Sequence, residues 1–326
     1  MDRSPLGLLG ALVRQRETAV FVIAVLSFVG FWVANSAFVS TNTLAVNFND
    51  TFPAIIIIAL GEVFLLICGE IDLSVGFIVG LAPFVMYYLT AYYHVPAFLA
   101  IVIGLLLGIV VGWVNGFLTV TVGVPSFITT LGTGFILWGI MLYTSHAEPV
   151  SPVPASMYRY ANWFGGGNKY SWLVWALILT VVCHILLTRT KWGLHTVSVG
   201  GNLLGAQEAG IKIARIKYGN FMLTGVLGSL VGIQTAFYVN TIDPNSGSYT
   251  PMFLAVTAAV IGGTAMLGGS GTIIGACFGA IVLSNLQTGF SVEGVSANLL
   301  YVIYGAAILI AMVANVSLAR LRERGK

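Results

Sequence analysis

Charge is scarce in this chain. Only 8% of its 326 residues are Asp, Glu, Lys or Arg, against roughly 25% in soluble globular domains, which excludes a water-soluble fold. Cysteine is scarcer still: Cys68, Cys183 and Cys277 lie singly in apolar segments, an odd number with no paired spacing. That excludes a disulfide framework and a cysteine metal site, and leaves three small buried hydrophobes. The four histidines, His94, His146, His184 and His195, are scattered, and neither His-Glu-x-x-His nor Gly-x-Ser-x-Gly occurs, so a membrane-embedded hydrolase has no support. No metal site and no catalytic residue is expected. There is no Gly-x-x-x-x-Gly-Lys-Ser/Thr loop, so if ATP drives this protein it is hydrolysed on another polypeptide. Basic runs with interleaved aromatics are also missing, which argues against nucleic acid as a partner.

What the chain has is long apolar runs. Hydrophobic residues make up 58% of it and its mean hydropathy is +0.95. A bilayer core takes about 20 apolar residues per helix, and the runs have that length. Strands of a membrane barrel would be about ten residues of alternating character, which is not the pattern. The expected spans are Ala19 to Phe38, Thr51 to Cys68, Val75 to Tyr93, Pro96 to Val120, Pro125 to Tyr143, Ser171 to Thr188, Tyr218 to Tyr238, Pro251 to Met266, Thr272 to Phe290 and Asn298 to Val316. The fold class read from this is all-α, a polytopic membrane helix bundle of about ten transmembrane helices. The first run lacks an early small-residue cleavage site and reads as a retained helix. Ser145 to Tyr170, with three prolines and Gly165-Gly166-Gly167, reads as a loop with a short surface helix.

The charge distribution fixes the expected topology. With residues 1–18, 189–217 and 317–326 in the cytoplasm, only Arg159 and Lys169 of the 14 Lys and Arg fall outside, and an odd number of spans would misplace one basic terminus. The whole chain, 1–326, then reads as a single transmembrane domain, with both termini cytoplasmic.

Three tracts break the apolar pattern. The first, Cys68-Gly69-Glu70-Ile71-Asp72-Leu73-Ser74-Val75-Gly76, ends one span and begins the next. Ionisable groups at such depth are costly and demand a reason. Asp72 or Ser74 suits an N-cap of the following helix; alternatively Glu70, Asp72 and Ser74 line a hydrated path for a hydroxylated solute. Glu62, inside a span, must be protonated or partnered. Asn115, Asn285 and Gln287 are polar at span depth, suited to joining helices or to lining the same path. The second tract, Gly200-Gly201-Asn202 through Ala206 to Gly210-Ile211, reads as a short amphipathic helix capped by Asn202 and ended by Gly210. It is suited to a groove in a partner or to the lipid surface. The third, residues 260–272, is dense enough in glycine for a tight turn or re-entrant backbone. Glycines at four-residue spacing, Gly104, Gly108, Gly112 and Gly116, then Gly271, Gly275 and Gly279, mark faces for close helix packing.

Together and in this order, Gly-Glu-Ile-Asp-Leu-Ser-Val-Gly (69–76), Gly-Gly-Asn with Ala206 and Gly210-Ile211, and Gly-Gly-Thr-x-x-x-Gly-Gly-x-Gly (262–271) resemble the membrane permeases of ATP-binding cassette sugar importers, the ribose and xylose permease group. The resemblance covers the chain from about Ser40 to the last span. It implies the second type of importer permease, working as a dimer of the same or related chains in the bacterial cytoplasmic (inner) membrane. It also implies cytoplasmic ATPase subunits that carry ATP and Mg, an extracytoplasmic sugar-binding protein, and Gly200, Gly201, Asn202, Ala206, Gly210 and Ile211 as the ATPase-coupling residues. This chain itself would bind no cofactor. A rival class is a proton-driven secondary transporter using Glu62, Glu70 or Asp72, and a third is a channel or scaffold subunit.

Overall fold

The computed structural model describes residues 16–150, 153–165 and 170–324. Most of the expected cytoplasmic N-terminal segment, together with Lys169 and Lys326, lies outside them. The described residues form helices joined by short turns, and the one β-type contact among them is an isolated bridge between Val150 and Ile242.

Helix α1 is Arg16–Ala34. Helix α2 runs Thr41–Ile67, α3 is Val75–Ala91, α4 Ala97–Val122 and α5 Ser126–Ser145. The short helix α6, Tyr158–Phe164, lies in the long loop where one was expected. Helix α7 is Ser171–Arg189, α8 Lys191–Gly201, α9 Leu203–Glu208, α10 Ile213–Val239, α11 Tyr249–Ile261, α12 Ile273–Val292 and α13 Ala297–Arg324. Seven of these helices are long and apolar enough to cross a membrane, and Val75–Ala91, Tyr249–Ile261 and Ala297–Ile310 are shorter apolar helices. Pro96 and Pro125 stand immediately before α4 and α5, where their fixed φ suits a helix start and no backbone N–H is lost.

Two of the expected boundaries shift for physical reasons. The polar stretch Ser40 to Asp50 is helical, so α2 starts at Thr41 rather than Thr51 and passes through a π-turn at Asn47–Thr51. One of its polar residues is tied into the bundle: the Asn47 side-chain amide donates to Asn285 Oδ1 over 3.1 Å. The eighth span is also shorter than expected. Helix α11 has 13 residues, about 20 Å of helix against a hydrocarbon core of about 30 Å. The chain leading into it is buried against α3, with Gly247 backed onto Gly80 and the Ser248 carbonyl against Gly76. Non-helical backbone is acceptable at depth when protein covers it.

Helix α2 is the centre of the bundle. Ile55 to Leu60 and Val63 to Leu66 are buried, and α7, α10, α11 and α12 pack around it. Small residues set a close crossing between α4 and α10. A Cβ on Gly108 would lie 2.0 Å from the Gly225 carbonyl oxygen, one on Gly112 2.3 Å from that of Phe221, and one on Gly116 3.0 Å from the Tyr218 ring. Gly104 faces Ile233 and the Ala82 carbonyl. Gly275 and Gly279 face Gly262 and Ala258 of the α11 end, whereas Gly271 stands before α12 begins and packs on Ile67 and Thr264.

The two ends of the bundle are distinct. Tyr88 Oη donates to the Thr144 carbonyl, Phe31 packs on Phe290 and Val150 pairs with Ile242 at one end. Thr121 meets Tyr218 and Ile71 N donates to Ser126 Oγ at the other. That second end also gathers residues 68–74, 190–212 and 262–272.

Candidate functional site

The three glycine-bearing tracts converge on one atom, the carbonyl oxygen of Ile67. The last carbonyls of a helix have no intrahelical partner. Here Gly269 N donates to Ile67 O over 2.8 Å, and Gly200 lies so close that a Cβ would sit 1.6 Å from the same oxygen. The third tract also stacks on the second, Gly269 Cα lying 3.8 Å from the position a Gly201 Cβ would take.

Each tract closes a helix in the same way. Gly69 has φ +80°, its N–H donates to Leu66 O, and Glu70 N reaches back to Leu65 O. Gly210 has φ +76°, with its N–H to Gln207 O and Ile211 N to Ala206 O. Gly263 N donates to Val260 O and Thr264 N to Ala259 O. This paired pattern is the Schellman ending, which needs a left-handed residue that glycine supplies without strain. Asn202 opens α9 by accepting from Gly205 N over 2.9 Å, so both ends of that helix are fixed where the sequence placed them.

On α9, Ala206 is buried with Cys68, Val199 and Ile216, while Leu203 and Leu204 point outward, 47% and 73% exposed. Leu267, in the third tract, is 89% exposed. The surface helix thus has its small side against the α2–α3 break and a leucine pair facing away. Lys217, at the start of α10, forms an ion pair with Glu70 in the break.

Asp72 sits at the centre of a buried polar network. Its Oδ1 accepts from Ser74 N over 2.8 Å and from Ser74 Oγ over 2.6 Å, a turn leading into α3, whose N-cap position is Ser74 and makes no side-chain cap bond, contrary to the expected cap. Asn115 Nδ2 donates to Ser74 Oγ over 2.8 Å and stands 3.3 Å from both Asp72 oxygens. Thr130 Oγ1 accepts from Leu73 N over 3.0 Å, and Thr133 Oγ1 donates to Asn115 Oδ1 over 2.6 Å. Asp72 N approaches Glu62 Oε2 at 3.5 Å, so the partner of the carboxylate inside α2 is the backbone of the break. Asp72, Ser74, Asn115 and Glu62 are all fully buried.

Of the residues singled out in the sequence for a solute path, these polar groups are thus used in joining α2, α4 and α5. Asn285 likewise bridges helices, donating to Ala24 O and Ser27 Oγ of α1. Glu70 lines a cavity of about 250 Å³ between the break, α5, α11 and α13, whose walls are mostly apolar. Gln287 lines a separate cavity of about 380 Å³ at the opposite end. Sequence reasoning missed Asn220, which donates to Phe64 O over 3.2 Å and accepts from Trp192 Nε1 over 2.9 Å, tying α2, α8 and α10. A buried amide opposite a tryptophan carries no local pattern, so no signal in the sequence marked it.

Residues 44–312 match the family described as the branched-chain amino acid transport system / permease component. The chain is 34% identical to the xylose/arabinose import permease protein XylH of Sulfolobus acidocaldarius over 310 residues, 93% of this chain and 85% of that one. It is 30% identical to the autoinducer 2 import system permease protein LsrC of Photorhabdus luminescens over 282 residues, 85% and 83% of the two chains. Its identity to the LsrC of Salmonella typhi is 31% over 276 residues, 84% and 78%. No solved structure matches the chain. A helical membrane bundle with these tracts at one end, matched over most of its length, belongs to this permease family and is the multi-pass permease subunit of an ATP-binding cassette importer, a component without ATPase activity of its own.

Proposed function

We propose that the chain passes a sugar or related polyol across the cytoplasmic membrane by alternating access. Separate ATPase subunits that hold ATP and Mg supply the work, and an extracytoplasmic binding protein delivers the solute. Two permease subunits, identical or related, form the pathway. The end that gathers residues 190–212 faces the cytoplasm, as the basic residues Arg189, Lys191, Lys212, Arg215 and Lys217 favour.

The observation that carries this reading is the seating of α9 on the α2–α3 break. A short helix with two outward leucines suits a groove on an ATPase; its inner side packs on Cys68 through Ala206, and the end of α8 just before it rests on the carbonyl of Ile67 through Gly200. Movement imposed on α9 therefore reaches the central helix directly. Gly200, Gly201, Asn202, Ala206, Gly210 and Ile211 are the coupling residues on this view. Named cargoes of the relatives, xylose, arabinose and autoinducer 2, favour a hydroxylated solute over a branched-chain amino acid.

The deciding experiment is reconstitution in proteoliposomes with the cognate ATPase and binding protein. ATP-dependent accumulation of solute that stops when either partner is omitted is the expected result. Accumulation by the permease alone under a proton gradient would establish secondary transport instead, and flux independent of ATP would make the chain a channel.

A further inference from the structure

The cavity of about 380 Å³ at the end opposite the glycine junction falls within the range of about 300–1,000 Å³ usual for small-molecule sites. Four elements build it: the first turns of α2 give Asp50, α12 gives Gln287, α13 gives Tyr301 and Tyr304, and α11 with the chain entering it gives Thr250, Ser246 and Ser248.

The polar groups there have complementary unused capacity. Neither the Asp50 carboxyl group nor the Gln287 amide has a hydrogen-bond or ion-pair partner among the described residues. Ser248 Oγ accepts from Thr250 N over 3.3 Å, which leaves its proton free to donate. Ser246 Oγ donates to Asp243 O over 2.7 Å, which leaves its lone pairs free to accept. An amide does both, and an ionised carboxylate only accepts. The Tyr301 and Tyr304 rings meet edge to face with centroids 6.3 Å apart, forming an aromatic wall beside the polar ones. Every hydroxyl of a sugar both donates and accepts, and its C–H face is apolar, so the walls match such a molecule. A zwitterionic amino acid would need a cation for its carboxylate, and among the described residues no Lys, Arg or His lines the cavity.

We infer that this cavity is a binding subsite for a neutral polyhydroxylated solute, with Asp50 and Gln287 as its hydrogen-bonding residues and Tyr301 as its stacking wall. The inference rests on the import reading above and adds the place where the permease first holds its cargo.

The test uses the assembled transporter in proteoliposomes, with xylose, arabinose and autoinducer 2 as the probes. Asp50→Asn and Gln287→Leu are each expected to lower the maximal uptake rate about tenfold, the loss of roughly one strong hydrogen bond. Protein yield, melting temperature and ATP hydrolysis stimulated by the loaded binding protein should stay at the wild-type level, because neither side chain supports the fold. Unchanged uptake in both variants, or uptake that falls only in step with yield or ATP hydrolysis, overturns the inference. A second measurement does not depend on transport: Thr250→Cys is labelled with a membrane-impermeant maleimide in the isolated permease, against the unsubstituted chain as background. Slower labelling when any probe is added supports the subsite even if wild-type uptake fails and the import reading falls. Absence of protection together with failed uptake removes both.

Discussion

Gly269 N donates to Ile67 O over 2.8 Å, joining the turn between α11 and α12 to the last turn of the central helix. Gly200 presses on the same oxygen from the third side. The contact is backbone against backbone, and it survives only while no Cβ intervenes.

Gly200→Ala therefore forces its new methyl group into the Ile67 carbonyl. Overpacking of this kind costs about 1–3 kcal/mol or more when neither backbone can yield. Gly201→Ala meets its nearest atom at 3.8 Å, ordinary contact distance, and is the matched control. Thermal unfolding in detergent should show a marked loss for the first and little change for the second; equal behaviour would remove Gly200 from the junction.

The Glu70–Lys217 pair is nearly buried, with side-chain exposures of 11% and 15%. Removing one partner of such a pair strands the other in a place where water reaches it poorly. Lys217→Met is expected to destabilise the permease by about 2 kcal/mol, below the 3–5 kcal/mol of a fully buried pair. The swapped double variant Glu70→Lys with Lys217→Glu should recover most of that loss. No recovery in a double-mutant cycle would show that the two charges act independently.

Leu204 touches solvent over most of its surface. Leu204→Asp should leave stability within about 0.5 kcal/mol, as exposed substitutions do, while abolishing co-purification with the ATPase. Ala206→Leu offers the contrast: it pushes against Cys68, Val199 and Ile216 and should lower the melting temperature itself. Retained ATPase capture by Leu204→Asp would take the docking surface away from α9.

Asn115→Leu removes the side chain that bridges Asp72, Ser74 and Thr133. Leaving a buried carboxyl group short of a donor is expected to cost about 3 kcal/mol. Asn115→Asp, which restores an acceptor for Thr133 but brings a second carboxyl group to Asp72, should be worse in thermal unfolding. If either variant melts like the wild type, the network does not hold α4 to the break.

Much of this arrangement was legible in the sequence because the tracts advertise themselves through glycine. Gly69 and Gly210 mark helix ends that the structure closes with left-handed residues, and the four-residue rhythm from Gly104 to Gly116 marks the face that meets α10. Asn202 announces its cap by residue type alone. What stayed hidden depends on partners distant in the chain. Asn47 looks like a loop residue until Asn285 supplies its acceptor, so the sequence alone puts the start of α2 at Thr51 instead of Thr41. Helix α11 looks like a full span because Ala265, Met266 and Leu267 continue its apolar run, yet the backbone turns at Gly263 and is folded back by bonds such as Ala265 N to Ser270 O and Gly269 N to Ile67 O. Asp50 carried no mark, since a carboxyl group at the edge of an apolar run resembles any helix flank.

The meeting of residues 67, 200 and 269 involves main chain alone, and main chain has no rotamers. A joint of side chains has play, because each χ angle can absorb part of a push before anything behind it moves. Carbonyl, amide and Cα in direct contact transmit displacement with almost no slack. On the import reading proposed above, the same feature makes the joint indifferent to cargo: the side chains around the opposite cavity can change while this backbone joint stays the same.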